Sequence, residues 1–344
     1  MSNQKIRIGI VGAGKNTISK HIPGLQAIKN VAIVSVCNRS RQSSERVATE
    51  FGIPIVYESW KDLIQADDTD AIVIGTWPYM HCQLTVATLK ASKHVMCEAR
   101  MAMNAQQAYQ MYKTSQSYPD LVAQIVPSPM TLSVDQTIQR LISEGYLGDM
   151  LAIEVRAGNN FLDPNEAFHW RQNIEFSGLN IMSMGIWYEA VMRWVGTAKC
   201  VLAMGKTFVK SRTDENGICQ AIHIPDHLDV VAEMACGAQL HMQISSVTGL
   251  SGMAEAFLFG SAGTLRFSAG KLYGGKRDDS SLSEIPILEN EIGGWRVEEE
   301  FINAIRGIET ISHSPFDVGV KYMEFTEAVA RSLQSRQTVA LPLL

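Results

Sequence analysis

Along the first 126 residues, short apolar runs alternate with stretches whose apolar positions recur at helical spacing. The runs fall at 5–11, 31–37, 54–57, 71–75, 94–97 and 121–126, each of strand length. The stretches between them, 17–28, 41–51, 60–65, 80–91 and 104–117, read as helices, with Asn104 placed to cap the last. Strands separated by helices of this length predict an α/β domain over 1–126 with a doubly wound parallel sheet. Beyond 126 the pattern changes. A helix near 133–145 ends at Gly145 to Gly148 and is followed by a longer strand at 149–157. From about 199 to 268 the chain alternates: Leu240, Met242 and Ile244 share one side, His241, Gln243 and Ser245 the other. Helices near 296–307 and 319–334 close the chain. Residues 127–344 therefore predict an α+β domain on an open, mostly antiparallel sheet.

The junction of the first strand and helix carries chemistry. Ile6, Ile8, Ile10 and Val11 lead into Gly12, Ala13, Gly14, Lys15, Asn16 and Thr17. The first glycine allows a tight turn, and the second lacks the Cβ that would keep a pyrophosphate from the backbone. The following helix points free N–H groups and its positive dipole end at phosphate. This is the fingerprint of a Rossmann dinucleotide-binding domain, except that Thr17 stands at the third glycine position, which predicts slightly looser helix–strand packing. At the tip of the second strand an Asp or Glu would favour NAD. Asn38, Arg39 and Ser40 stand there instead, a set that suits a 2′-phosphate, so NADP is expected, with NAD possible.

Length and composition set the remaining bounds. At 344 residues the chain can hold two cores, and a net charge of −5 makes nucleic acid an unsuitable partner. No apolar run is long enough to span a membrane, and Met1 to Lys5 lead into the first strand without the apolar core of a signal peptide. The six cysteines lack paired spacing, which fits free thiols in a cytoplasmic protein, with Cys37 and Cys97 as small core residues. No His, Cys, Asp or Glu group has metal-ligand spacing, so no metal is expected.

Seven short segments, in order, resemble the Gfo/Idh/MocA family of oxidoreductases (glucose–fructose oxidoreductase, inositol dehydrogenase and relatives) over essentially the whole chain. They are Val11 to Gly14 with His21-Ile22-Pro23; Thr76-Trp77-Pro78-Tyr79-Met80-His81; Lys93 to Glu98; Leu141 to Gly148; Trp170-Arg171 with Ser177-Gly178 and Gly185; Gly260 to Leu265; and Val339 to Pro342. The resemblance implies an NAD(P)-dependent oxidoreductase acting on a sugar, polyol or related hydroxy or keto compound. It implies that Thr76, Trp77 and His81 lie by the cofactor, that Glu98 sits near the nicotinamide ribose, and that the antiparallel sheet pairs in a homodimer or homotetramer.

The departures fall on the chemistry. Relatives usually carry Glu-Lys-Pro where this chain has Glu98-Ala99-Arg100, and an Asp and a His where it has Ser183 and Trp187. A proton acceptor must then come from elsewhere. Tyr188 is one candidate, or else a buried hydroxyl bonded to backbone; His169 is the other, or else a polar residue at the domain junction. Arg100 cannot act as a base, but can clamp an anion or polarise a carbonyl, or form a salt bridge. Trp187 offers a stacking wall for a sugar face, while Asn160, Asn180 and Arg171 supply polar groups for substrate. Glu189 belongs on the solvated back of its helix or beside Tyr188. Two other readings stay open. One is an enzyme that keeps its cofactor bound and uses transient oxidation for elimination, hydrolysis or epimerisation; the other is a non-catalytic dinucleotide-binding regulator or accessory subunit.

Overall fold

The computed structural model describes residues 5–343; the reading of residues 1–4 as lacking a signal peptide lies outside them. The chain divides into two compact units, Met1–Pro127 with Arg296–Val320, and Ser128–Trp295 with Lys321–Leu344.

In the first unit six strands lie parallel, β1 (Ile6–Val11), β2 (Val31–Cys37), β3 (Ile55–Val56), β4 (Ala71–Ile74), β5 (His94–Cys97) and β6 (Ala123–Ile125). Their order, β3-β2-β1-β4-β5-β6, reverses direction between β1 and β4. Strands β1, β4 and β5 are almost wholly buried, as expected of a parallel sheet covered on both faces. The crossings are made by α1 (Ile22–Gln26), α2 (Arg41–Phe51), α3 (Trp60–Gln65), α4 (Pro78–Lys90) and α5 (Ala105–Gln116), the last capped by Asn104 as the sequence predicts.

The helix expected over 17–28 is not one regular helix. Thr17–His21 forms a π-helical turn in which the Ile22 N–H donates five residues back to Thr17 O, and α1 follows. Pro23 has no N–H to continue a regular ladder here. The segment 296–320, placed by the sequence pattern in the second domain, belongs to the first unit. Buried carboxylates on its helix explain why: Glu300 accepts from Gln124 Nε2 on β6 at 2.8 Å, and Glu298 reaches His21.

The second unit holds α6 (Asp135–Ser143), α7 (Ile174–Ser177) and α8 (Met184–Val195) beside a nine-stranded sheet. In chain order its strands are β7 (Met150–Ala157), β8 (Ala198–Lys206), β11 (His227–Met234), β12 (Gln239–Ser245), β13 (Glu255–Gly260), β14 (Gly263–Ser268), β15 (Lys271–Lys276), β16 (Ser283–Ile285) and β17 (Val339–Ala340). A separate hairpin pairs β9 (Ser211–Thr213) with β10 (Cys219–Ala221). Every pairing in the large sheet is antiparallel except that of β7 with β12. One face is buried by alternate residues such as Ile153, Val201, Val230, Leu240, Met242 and Leu258, as the period-two pattern requires. Helix α9 (Val297–Ile305) belongs to the first unit, and α10 (Phe316–Ser335) runs from its last residues into the second. Among the described residues no helix is long and apolar enough to cross a membrane.

Candidate functional site

At the carboxyl edge of the parallel sheet, β1 ends in the glycine turn. Gly12 has a φ of +85°, which favours glycine, and a Cβ there would fall 2.6 Å from Thr76 Cγ2. A Cβ at Gly14 would meet only Gly75 O, at 3.3 Å, and the residues from Gly14 to Asn16 are exposed. Thr17 fits because Gly75 gives way: a Cβ on Gly75 would lie 2.0 Å from Thr17 Oγ1 and 2.2 Å from Gly12 O. The expected loosening at Thr17 is thus absent, since the missing third glycine is replaced by Gly75, directly after β4. Beside the turn, the buried Thr76 hydroxyl has no hydrogen-bond partner among the described residues. An open glycine turn with an unsatisfied donor next to it fits a phosphate-bearing ligand.

The tip of β2 is arranged differently from a simple reader of ribose. Asn38 Oδ1 accepts from Ala13 N at 2.6 Å and its amide donates to Ser43 Oγ at 3.0 Å, so Asn38 braces the turn and removes the Ala13 N–H from use by phosphate. Ser40 caps α2 by accepting from Ser43 N at 3.3 Å. Arg39 is exposed, its guanidinium 5.9 Å from the centre of the Trp77 ring. His81 is fully buried, with Nε2 2.9 Å from Thr76 O and Nδ1 2.9 Å from Arg100 O. Burial holds its pKa below the ordinary value, and a neutral ring can donate to only one of these carbonyls at a time. His81 therefore braces two loops. Arg100 is itself buried.

Glu98, directly after β5, is the most heavily bonded group at this edge. Its Oε1 accepts from Asn16 Nδ2 and lies 3.0 Å from His21 Nε2, while Oε2 accepts from Ala99 N at 3.0 Å. His21 is completely buried, and its Nδ1 lies 2.5 Å from Glu298 Oε1. Burial alone would lower the pKa of this ring, but the two carboxylates reverse that and raise it to about 9. Burial likewise works against the Glu98 carboxylate, and hydrogen bonding to His21 and Asn16 overrides it, holding its pKa below the ordinary value. His21 had no role in the sequence reading beyond one segment of the resemblance. Its partner Glu298 is 277 residues away, and no spacing signals such a pair.

In the second unit the candidates separate. Tyr188 is 1% exposed; its ring stacks on Phe325 at 3.5 Å and 7°, and its hydroxyl accepts from Ala198 N at 2.8 Å. Burial drives its pKa far up, so the expected acid/base is a core hydroxyl bonded to backbone. Trp187 is also 1% exposed, edge-on to Phe267, and packs the core in place of walling a sugar site. Asn180 is buried and donates to Ser177 O at 2.6 Å, holding its own loop. Glu189 is not solvated: it is buried, accepts from Ser128 N and pairs with Arg193 at 3.0 Å. Helix α8 is apolar on nearly every side, which turns residues at these positions inward.

His169, Arg171 and Asn160 remain exposed. His169 Nδ1 accepts from Arg171 N at 3.2 Å, so the neutral ring carries its proton on Nε2. Partial burial and the nearby Arg171 charge hold its pKa down. Arg171 stacks 4.4 Å above Trp170. Among the described residues no three His, Cys, Asp or Glu side chains converge as metal ligands.

Two family models match the chain. Residues 6–124 match the oxidoreductase family with an NAD-binding Rossmann fold, and residues 136–266 match the GFO/IDH/MocA C-terminal domain. The chain belongs to the Gfo/Idh/MocA oxidoreductase family. It is 25% identical over 288 residues to glucose-fructose oxidoreductase domain-containing protein 1 of Xenopus tropicalis, across 82% of this chain and 72% of that one. It is 24% identical over 237 residues to glucose-6-phosphate 3-dehydrogenase of Bacillus subtilis, across 66% of this chain and 64% of the relative, just under two thirds of its length. In fold it is similar to levoglucosan dehydrogenase in complex with NADH and levoglucosan, with a TM-score of 0.84 at 18% identity, covering 98% of this chain and 100% of that one.

Proposed function

We propose that this member of the family is an NADP(H)-preferring dehydrogenase of a sugar, polyol or related hydroxy or keto compound. The first unit would hold the dinucleotide, and the second would take substrate and mediate self-association. The observation that carries the reading is the turn after β1, open at Gly14, with the unpartnered Thr76 hydroxyl beside it and Glu98 held by Asn16. When bound, the nicotinamide would supply or accept the hydride. Backbone N–H groups at Lys15 and Asn16 would face the pyrophosphate, that of Gly14 being taken by Gly12 O at 3.0 Å, and Glu98 would accept from a ribose hydroxyl. Arg39 and Ser40 would take a 2′-phosphate, with Trp77 flanking the adenosine side. A sugar substrate is supported by the similarity to a glucose-6-phosphate 3-dehydrogenase in sequence and to a levoglucosan dehydrogenase in fold.

His169 is the titratable candidate that stays accessible. With Nδ1 committed to its cap, it could accept a proton only by releasing that bond or exchanging tautomers. Arg171 and Asn160 would contact substrate, and Arg100 would polarise it. Self-association would use the open sheet face, where Val231 lies across from Leu202 on the neighbouring strand and Met204 is 66% exposed. The deciding experiment is calorimetric titration of the purified chain with NADPH and NADH, followed by a panel of sugars and polyols. Binding of neither cofactor would overturn the reading. On a confirmed substrate, His169→Ala should lower turnover by about a hundredfold or more if it moves the proton.

The burial of Tyr188 and the capping role of His169 favour a second reading, in which the bound dinucleotide is retained and net redox turnover is absent. NAD(P)H that stays with the protein through gel filtration, without net oxidation of any panel compound, would select it.

A further inference from the structure

The motif His21-Ile22-Pro23 takes no part in the function proposed above, yet it contains the most completely buried charged group at the cofactor edge. His21 is 0% exposed and lies between two carboxylates on different elements, Glu98 after β5 and Glu298 on α9. The π-helical turn over Thr17–His21 sets the ring there, and such turns are rare and concentrate at functional sites. The opposite side of the carboxylate is fixed as well, since a Cβ on Gly24 would lie 2.9 Å from Glu298 Oε2. On the cofactor side, Asn16 donates to the same Glu98 oxygen that faces His21. One oxygen thus ties the glycine turn to the end of β5.

We infer that His21 is a positioning residue: braced by Glu298, it holds the Glu98 carboxylate in place to accept a hydroxyl of the nicotinamide-side ribose. The inference rests on the dinucleotide reading above. Glu98 has limited capacity left: Oε1 is shared by Asn16 and His21, and Oε2 takes one backbone N–H. A carboxylate restrained on three sides loses little freedom when it accepts one more hydrogen bond, which is how a distant residue adds to affinity. The ionisable groups facing the ring are Glu98 and Glu298, with the neutral amide of Asn16 3.5 Å from Nε2. A doubly protonated ring donates to both carboxylates; a neutral ring can serve only one. The ribose contact should therefore hold at neutral pH and weaken as pH rises through about 9.

The test compares ADP with ADP-ribose, which differ by the second ribose, on the full-length protein. His21→Gln should leave ADP affinity unchanged and reduce the gain from ADP to ADP-ribose by about tenfold or more, the range of a hydrogen bond to a charged group. In the unaltered protein that gain should fall above pH 9; in His21→Gln it should be flat. Glu298→Gln retains a hydrogen-bonding amide but removes a charge, and should move the fall to lower pH. Equal loss of ADP and ADP-ribose binding would make His21 merely structural and overturn the proposal. So would an unchanged gain, or failure of both variants to keep a cooperative melt. If the unaltered protein binds neither these ligands nor NADPH, the dinucleotide reading itself fails.

Discussion

The glycine turn at residues 12–17 and the helical segment at residues 183–195 hold the groups on which activity should depend, and they treat polar atoms in opposite ways. At the turn, the buried Thr76 hydroxyl has no hydrogen-bond partner among the described residues, and it lies beside an exposed stretch from Gly14 to Asn16. In the helix, polar atoms are turned inward and used up: Tyr188 by Ala198, Glu189 by Ser128 and Arg193, Arg193 also by Asp135 at 2.8 Å. The first region is arranged for a ligand and the second for a core. On the proposed reading, cofactor binding would then be separable from proton transfer.

The sharpest way to break that comparison is Gly14→Val. Its Cβ meets little protein, so the melting temperature should hardly move, while dinucleotide affinity should drop by about a hundredfold or more through obstruction of the phosphate approach. Calorimetry showing undiminished binding would mean that the turn is only structural. Next comes Arg39→Ala, which should shrink the preference for NADPH over NADH by about 10- to 150-fold, the worth of one charge-assisted contact. Equal affinities in the unaltered protein would remove the basis for that expectation.

Tyr188→Phe probes the other region. The stacked ring stays, but the Ala198 N–H loses its acceptor, so urea unfolding should show a loss of about 1–3 kcal/mol with cofactor affinity and turnover unchanged. A large fall in turnover at full stability would restore Tyr188 as an acid/base. A further test is of pH dependence. The His21 pKa is raised from 6.5 to about 9 by its carboxylates, so its contribution to stability is full below pH 6.5 and is lost as pH rises through 9. Denaturation midpoints from pH 6 to 10 should fall accordingly, and His21→Gln should flatten the slope.

Strand and helix order in the first unit was legible because each element is local and each strand is buried on both faces. The alternation along β12 was equally clear, with Leu240, Met242 and Ile244 inward. What the sequence hid was direction and distance. Tyr188 looked available because it neighbours the family's catalytic position, yet on an almost wholly apolar helix a neighbour in sequence points into packing. The roles of Asn38 and His81 as braces depend on which backbone atoms approach them. The His21–Glu298 pair depends on a chain return that no short-range pattern encodes.

That return has a consequence for how the protein is made. A ribosome that has released residue 126 has delivered every strand of the first sheet, but neither Glu298 nor Glu300. During synthesis, His21 and Gln124 must therefore wait for these two carboxylates while residues 128–295 emerge. Domains usually mature in the order in which they are translated. Here the N-terminal one cannot be completed until most of the second has been made.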